Sequence, residues 1–269
     1  MKKNIIKKIL YKYLLIRETE LRISSEYKKQ NMRCPVHLSI GQESVSSALS
    51  AIYNKNDYLI SNHRCHAHYL SKSNSLYEMI AELHGLSDGC SKGVGGSMHL
   101  VDEKNNFLGS TAIVSNSIPV GIGFAFGKKL DKKKSRIFIF IGDASVESGV
   151  FYESINFALI HNLKVTFVCE NNFYSVYSSF YQRQPKNREI FKLVSSMGIK
   201  SIKIKTNNPF KIYKKIKNFI PKYQINFIEI ETYRYVEHCG PNNDDKLNYR
   251  PKKEIKHWVS KDFNKKIFS

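Results

Sequence analysis

The sequence predicts an α/β fold in which helices flank a parallel sheet. Two apolar runs of strand length, residues 136–141 and 165–169, are separated by a segment long enough for one helix. This order is typical of a βαβ unit, whose two strands lie parallel in one sheet. A further apolar run at residues 225–232 adds another strand. We therefore expect a parallel sheet that is buried on both faces.

Polar residues follow both strands of the predicted unit. Gly142-Asp143 comes directly after the first strand, and Asn171-Asn172 comes after the second. The carboxyl ends of parallel strands meet at one edge of a sheet, so we expect Asp143 and Asn172 to lie side by side. A carboxylate and an amide oxygen beside a helix N-terminus suit a hard divalent cation that carries a phosphate-bearing ligand.

Composition predicts one globular domain over residues 1–269, with an N-terminal helix and a short C-terminal tail. The chain is 42% hydrophobic, which allows a sizeable core. Its formal net charge is +20. The lysines are scattered in short runs, which favours a solvated basic surface over a nucleic-acid-binding tract.

Cysteine usage and the N-terminus point to a cytoplasmic protein. The five cysteines are far apart and form no CxxC pair, so neither a disulfide framework nor a zinc ribbon is indicated. The basic, partly apolar N-terminus predicts a helix and not a signal peptide. No run of 18 apolar residues exists, so no membrane span is expected.

The remaining elements follow from periodicity and turn residues. We expect helices at 4–30, 44–53, 76–84 and 209–220, and strands at 58–60 and 201–205. Gly41 permits a tight turn before the second helix. Residues 85–99 are glycine-dense and predict an ordered loop or a substrate-facing loop. Residues 175–198 predict an irregular polar segment, and residues 252–269 predict a solvated helix or a partner-docking tail.

Glycines at 121, 123 and 127 lie in a segment that predicts a helix, with Pro119 in its first turn. Their spacing is not a dinucleotide fingerprint, and we expect it to permit close helix packing.

A histidine-rich stretch at residues 63–68 leaves two interpretations open. His63, Cys65, His66 and His68 suggest a zinc site, although their spacing differs from the H-x3-H of a helical zinc pair. Arg64 instead suggests an anion contact, because a guanidinium can hold a phosphate or carboxylate with two hydrogen bonds.

Taken together, these motifs resemble a known family. Gly142-Asp143 and Asn171-Asn172 resemble the thiamine-diphosphate binding motif. The surrounding segments are HLSIGQE at 37–43, HRCHAH at 63–68, KGVGGSMHL at 92–100, FVCENNFY at 167–174 and ETYRYVEHCGPN at 231–242. Over residues 5–262 the chain resembles the α subunit of the 2-oxo acid dehydrogenase E1 component, the group that contains pyruvate and acetoin dehydrogenases. Three segments (GVFYES, NNFYSVYS and EHCGPN) are similar to bacterial members associated with surface-sugar biosynthesis.

The resemblance implies a cofactor site for thiamine diphosphate and Mg²⁺. Asp143 and Asn172 would bind the metal through side-chain oxygens, and Tyr174 through its main-chain carbonyl. The other cofactor contacts expected are His63, Arg64, Ala112, Val114, Gly142, Ala144 and Arg234, and the catalytic candidates are His37 and His238. Two residues differ from the family pattern: Ala144 replaces the third residue of its GDG motif, and His63 replaces a tyrosine.

The implied activity is decarboxylation of a pyruvate-like 2-oxo acid, with the active site shared with a β subunit in an α2β2 heterotetramer. The acceptor would be the lipoyl group of an acyltransferase or, in the surface-sugar subgroup, an aldehyde or keto-sugar. The chain ends before the longer C-terminal region of the family, which bears on how it assembles. Three alternatives stay open: a catalytically silent α-like subunit, a metal hydrolase using the histidine-rich stretch, and a nucleic-acid-binding protein.

Overall fold

The computed structural model describes residues 1–73 and 75–267. A six-stranded parallel sheet forms the centre, and a short two-stranded hairpin lies beside it. The strands are β1 (Tyr58–Ser61), β2 (Phe107–Ser110), β3 (Ile137–Gly142), β4 (Val165–Asn171), β5 (Tyr174–Ser175), β6 (Ser178–Ser179), β7 (Lys200–Ile204) and β8 (Ile225–Glu231). The helices are α1 (Lys3–Tyr27), α2 (Glu43–Ser50), α3 (His66–Lys72), α4 (Leu76–Leu83), α5 (Ser117–Leu130), α6 (Gly149–Ile160), α7 (Phe180–Arg183), α8 (Ile190–Ser196), α9 (Pro209–Ile216) and α10 (Lys252–Ser260). This architecture confirms the predicted α/β fold.

Helices cover both faces of the sheet, and the strand sequences show why. Along β3, Phe138 and Phe140 pack with α1, α2, α3, α4 and α9 on one face. Ile137, Ile139 and Ile141 pack with α5, α6 and α8 on the other. Successive side chains of a strand point to opposite faces, so a strand covered on both sides must be apolar at every position.

The strand order places a crevice between β1 and β3. The order is β2-β1-β3-β4-β8-β7, so the chain moves outward from β1 to β2 and then outward in the other direction from β3 to β4. Ligands of open α/β sheets bind outside the carboxyl ends of the strands at such a reversal. Asn62-His63-Arg64 follows β1 and Asp143 follows β3, so both segments lie at this crevice.

The predicted segments differ from the structure where elements are short. The short elements β2, α3, β5, β6, α7 and α8 were not predicted. The segment 175–198 was predicted to be irregular, but it contains β6, α7 and α8. An element of two to seven residues has too few positions for a period of apolar residues to be recognised in the sequence.

The C-terminal helix is not simply solvated. Trp258 of α10 is buried and stacks on Tyr233, with ring centroids 5.5 Å apart. The Tyr174 hydroxyl donates to Glu254 of the same helix at 3.0 Å. The tail therefore packs on the segment that follows β8. None of the helices in the described part of the chain combines the length and apolar character that crossing a membrane requires.

Candidate active site

A cleft opens at the carboxyl ends of the central strands and has about 860 Å³ of empty space, part of it open to solvent. Sequence-predicted residues in its wall are His37, His63, Arg64, Ala112, Val114, Gly142, Asp143, Ala144, Asn172, Tyr174 and His238. They come from the ends of five different strands (β1, β2, β3, β4 and β8) and from the segment before α2. The fold thus brings nearly all of the predicted site residues into one cleft.

Oxygen donors cluster at the ends of β3 and β4. Asp143 is 2% exposed, and Asn172 follows β4, the neighbour of β3. The backbone N–H of Tyr174 donates to Asn172 Oδ1 at 3.1 Å. The side chain of Tyr174 is turned away to Glu254, so its backbone is what this residue can offer to the cleft.

The Asp143 carboxylate is balanced by a cation within the chain. Arg183 of α7 donates to Asp143 and also to Glu147. Burial raises the pKa of Asp143, and the charge of Arg183 opposes that shift. Sequence reasoning missed this pairing because nothing in the local pattern joins Arg183 to a carboxylate forty residues earlier.

Arg64 presents a buried guanidinium beside the same cleft. It donates to Leu38 O at 2.7 Å and to His238 O at 3.0 Å. Within residues 1–73 and 75–267, no carboxylate forms an ion pair with it. Burial and then the charge of Arg234 lower the pKa of Arg64 to about 9. Arg64 also lies 3.5 Å from His238 Nδ1, so its described partners are two carbonyl groups and a neutral imidazole. A buried cation with such neutral partners favours an anionic ligand.

Three histidines from distant segments meet in the cleft wall. The ring centroids of His37 lie 4.9 Å from His63 and 5.1 Å from His238, and the last two are 5.4 Å apart. Burial and then the charge of Arg64 lower the pKa of His37 to about 2, of His63 to about 3 and of His238 to about 4. All three imidazoles are therefore neutral at physiological pH. Among the described residues, none forms a hydrogen bond with His37 Nδ1.

The zinc site considered for the histidine-rich stretch is not assembled. Cys65 donates to Ser97 O at 3.1 Å, and His66 Nε2 lies 2.8 Å from Ser97 Oγ. His68 points elsewhere, with Nε2 3.1 Å from Glu170. His63 alone of the four lines the cleft. Successive helical residues are rotated by about 100°, so His66 and His68 at the start of α3 face different sides.

Arg234 is the one predicted site residue that the structure places outside the cleft wall. Its guanidinium donates to Val236 O at 2.5 Å and to the Tyr249 hydroxyl at 3.0 Å, and it lies 3.5 Å from Asp244. These contacts brace the segment after β8, which carries His238. The expected cofactor contact of Arg234 is therefore not supported by its position.

Gln42 and Glu170 also line the cleft, and sequence reasoning did not single them out. Gln42 Oε1 accepts from Asn172 Nδ2 at 3.4 Å. Glu170 is 5% exposed, and its Oε1 has no hydrogen-bond partner in the described part of the chain. Glu170 stands directly before Asn171-Asn172, so its place at a strand end was the available signal.

The glycine-dense loop is held by one carboxylate. Glu82 of α4 accepts the backbone N–H groups of Ser91, Gly93, Gly95 and Gly96 at 2.7–2.9 Å. This loop carries Met98 into the cleft wall. The prediction of an ordered loop is therefore confirmed, and a buried carboxylate is what orders it.

Comparison with known proteins agrees with this geometry. The family model described as "Dehydrogenase E1 component" matches residues 11–269. The pyruvate dehydrogenase E1 component subunit alpha of Rickettsia bellii is 34% identical over 253 residues, which cover 93% of this chain and 76% of the relative. The Rickettsia felis protein of the same name is 35% identical over 93% of this chain and 76% of the relative. The mitochondrial subunit alpha-1 of Arabidopsis thaliana is 32% identical over 90% of this chain and 61% of the relative. The chain therefore belongs to the dehydrogenase E1 component family, as an alpha-type chain of the thiamine-diphosphate-dependent 2-oxo acid dehydrogenases.

Proposed function

We propose that this chain is the metal- and diphosphate-binding half of an enzyme that decarboxylates a pyruvate-like 2-oxo acid. The observation that carries the proposal is that groups suited to a metal ion and a group suited to an anion line the same cleft. The oxygens of Asp143, Asn172 and Tyr174 suit Mg²⁺. The guanidinium of Arg64, whose described partners are uncharged, suits a diphosphate.

The residues fit a bound thiamine diphosphate. A Cβ built on Gly142 meets nothing within 4 Å, so the backbone beside Asp143 is open to a ligand's phosphate groups. Ala144 keeps its small methyl group in the same wall, and Ala112 and Val114 offer main-chain groups across the cleft. When bound, the cofactor supplies the carbanion chemistry that releases CO₂ from a 2-oxo acid.

The neutral histidines suit contact with the substrate. His37 and His238 stay uncharged at physiological pH, so each can donate one hydrogen bond and accept another. We assign them, with His63, to orienting the carboxylate and carbonyl oxygens of the 2-oxo acid. Pyruvate is the first substrate to test, because the relatives are named pyruvate dehydrogenase subunits. The lipoyl group of an acyltransferase is the proposed acceptor.

We further propose that a β-type chain completes the site by docking on α5 and α6. In α5, Gly121 packs tightly, since a Cβ there would lie 2.7 Å from Ile139. A Cβ at Gly123 or Gly127 would meet nothing within 4 Å. A glycine inside a helix lowers helix stability by about 1 kcal/mol relative to alanine. Packing within the described chain does not explain the glycines at 123 and 127. Exposed apolar side chains lie on the same two helices and beside the cleft, at Val114, Val120, Phe157 and Ile160.

The docking proposal predicts that a large side chain on this face prevents assembly. Gly123→Trp should leave the isolated chain folded, because the position faces open space, and should abolish co-purification with the β-type chain. Size-exclusion chromatography of the co-expressed pair measures this. Gly123→Ala should assemble normally, and so should Lys214→Trp on α9, which covers the opposite face of the sheet. Assembly of the Gly123→Trp variant would place the interface elsewhere.

The central test is a titration of the co-expressed pair with thiamine diphosphate, with and without Mg²⁺. We expect saturable binding that EDTA abolishes, together with release of CO₂ from pyruvate. A pair that assembles but binds no cofactor would instead identify a catalytically silent α-like subunit.

A further inference from the structure

Arg183 forms an ion pair with Asp143, the acidic residue among the proposed metal ligands. It ends α7, and its side chain is 13% exposed. One arm of the guanidinium pairs with Asp143 and another with Glu147. Its Nε donates to Ser178 O at 3.4 Å, so the side chain is held by its own segment as well as by the two acids.

The pairing satisfies a charge that the fold has buried. Asp143 is almost inaccessible to solvent, and a buried carboxylate without an opposite charge is costly. A divalent cation bound at the same oxygen atoms would also balance the buried negative charge of Asp143. Two cations at one carboxylate repel each other, strongly so where the surroundings exclude water.

The segment that carries Arg183 also carries a proposed metal contact. Tyr174 lies in β5, which pairs with β6, and α7 follows β6 directly. Phe180 N donates to Phe173 O at 2.7 Å and closes this turn. The backbone of Tyr174 and the guanidinium of Arg183 therefore sit on one small unit over the end of β3.

We propose that Arg183 is a built-in counter-cation of Asp143 that a divalent metal ion must displace, so that this arginine sets how tightly the cleft holds its metal. The inference rests on the proposed function, because it takes Asp143 as a metal ligand. It assigns to Arg183 a positioning role: the guanidinium holds the Asp143 side chain in place and competes with the metal ion for its oxygen atoms.

The test uses Mn²⁺ as the probe and the chain assembled with its β-type partner. Free Mn²⁺ is measured by electron paramagnetic resonance in the absence of thiamine diphosphate. Arg183→Gln should bind Mn²⁺ at least about tenfold more tightly than the unmodified chain, because a competing charge is gone. Arg183→Lys keeps the charge and should stay close to the unmodified chain. Arg188→Gln removes a charge from the same segment, where the Arg188 side chain donates to Gln184 at 2.9 Å, and should also change little.

Thermal unfolding gives a second readout. In EDTA, Arg183→Gln should melt at a lower temperature than the unmodified chain, and saturating Mn²⁺ should narrow the difference. Equal or weaker Mn²⁺ binding by Arg183→Gln, with normal binding by the unmodified chain, would overturn this inference alone. If the unmodified complex binds neither Mn²⁺ nor thiamine diphosphate, the proposed function fails and this inference fails with it.

Discussion

Asp143→Asn should lower the affinity for thiamine diphosphate in the presence of Mg²⁺ by at least about a hundredfold, since even residues that only support a metal ligand are worth 10–100-fold. The substitution keeps the shape of the side chain and removes its charge. Asp143 is the acidic residue of the proposed oxygen set, so the metal would lose its strongest ligand. Isothermal calorimetry on the assembled pair measures the change, and catalytic activity should fall in parallel.

Loss of folding must be separated from loss of binding in this experiment. Circular dichroism should show the fold retained, because Asn introduces no buried charge. Asp131→Asn is the matched control: Asp131 lies at the end of α5, is exposed and is 4.0 Å from Lys128. Its affinity for the cofactor should be unchanged. If Asp143→Asn binds the cofactor as well as the unmodified chain, the metal site lies elsewhere.

Glu43→Ala should lower the free energy of unfolding by about 3 kcal/mol, because it leaves a buried arginine without its main partner. Glu43 is fully buried and holds Arg17 of α1 through two contacts, at 2.5 and 3.0 Å. It also accepts the backbone N–H of Gly41 at 2.9 Å. Asp262 shares Arg17 at 3.1 Å, so this network joins α1, α2 and the C-terminal segment.

Urea denaturation measures this effect, and a surface ion pair provides the comparison. Glu26, also in α1, pairs with Arg22 at 2.8 Å on the exposed side of the helix. Glu26→Ala should leave the urea midpoint within experimental error, because exposed pairs contribute little. If the two variants shift the midpoint equally, burial of the Glu43 pair does not matter for stability.

The turn at Gly41 connects the Glu43 network to the cleft, because Gln42 lies between these two residues. Gly41 has a φ of +99°, and a Cβ there would lie 2.3 Å from Tyr233 O. This confirms the tight turn expected before α2, and it explains why only glycine fits. The turn sends Gln42 into the cleft wall and Glu43 into the core.

Tertiary structure also corrected the interpretation of the α5 glycines. Their spacing predicted close helix packing, and Gly121 packs closely against Ile139. Gly123 and Gly127 face open space, and periodicity alone could not separate the three. Which side of a helix meets the sheet depends on how the whole helix docks, and sequence spacing does not fix that orientation.

The hydrophobic pattern was enough to predict the central strands and the approach of Asp143 to Asn172. Apolar runs of strand length joined by one helix leave a right-handed parallel crossover as the favoured arrangement, and that arrangement puts both strand ends at one edge. The histidine cluster and the cation that pairs with Asp143 became visible only in the folded chain. His37, His63 and His238 come together, while His66 and His68 turn to other partners. Arg183 reaches Asp143 from a separate segment. A strand and the helix after it are encoded in the local hydrophobic pattern, whereas contacts between loops depend on how every element beneath them packs.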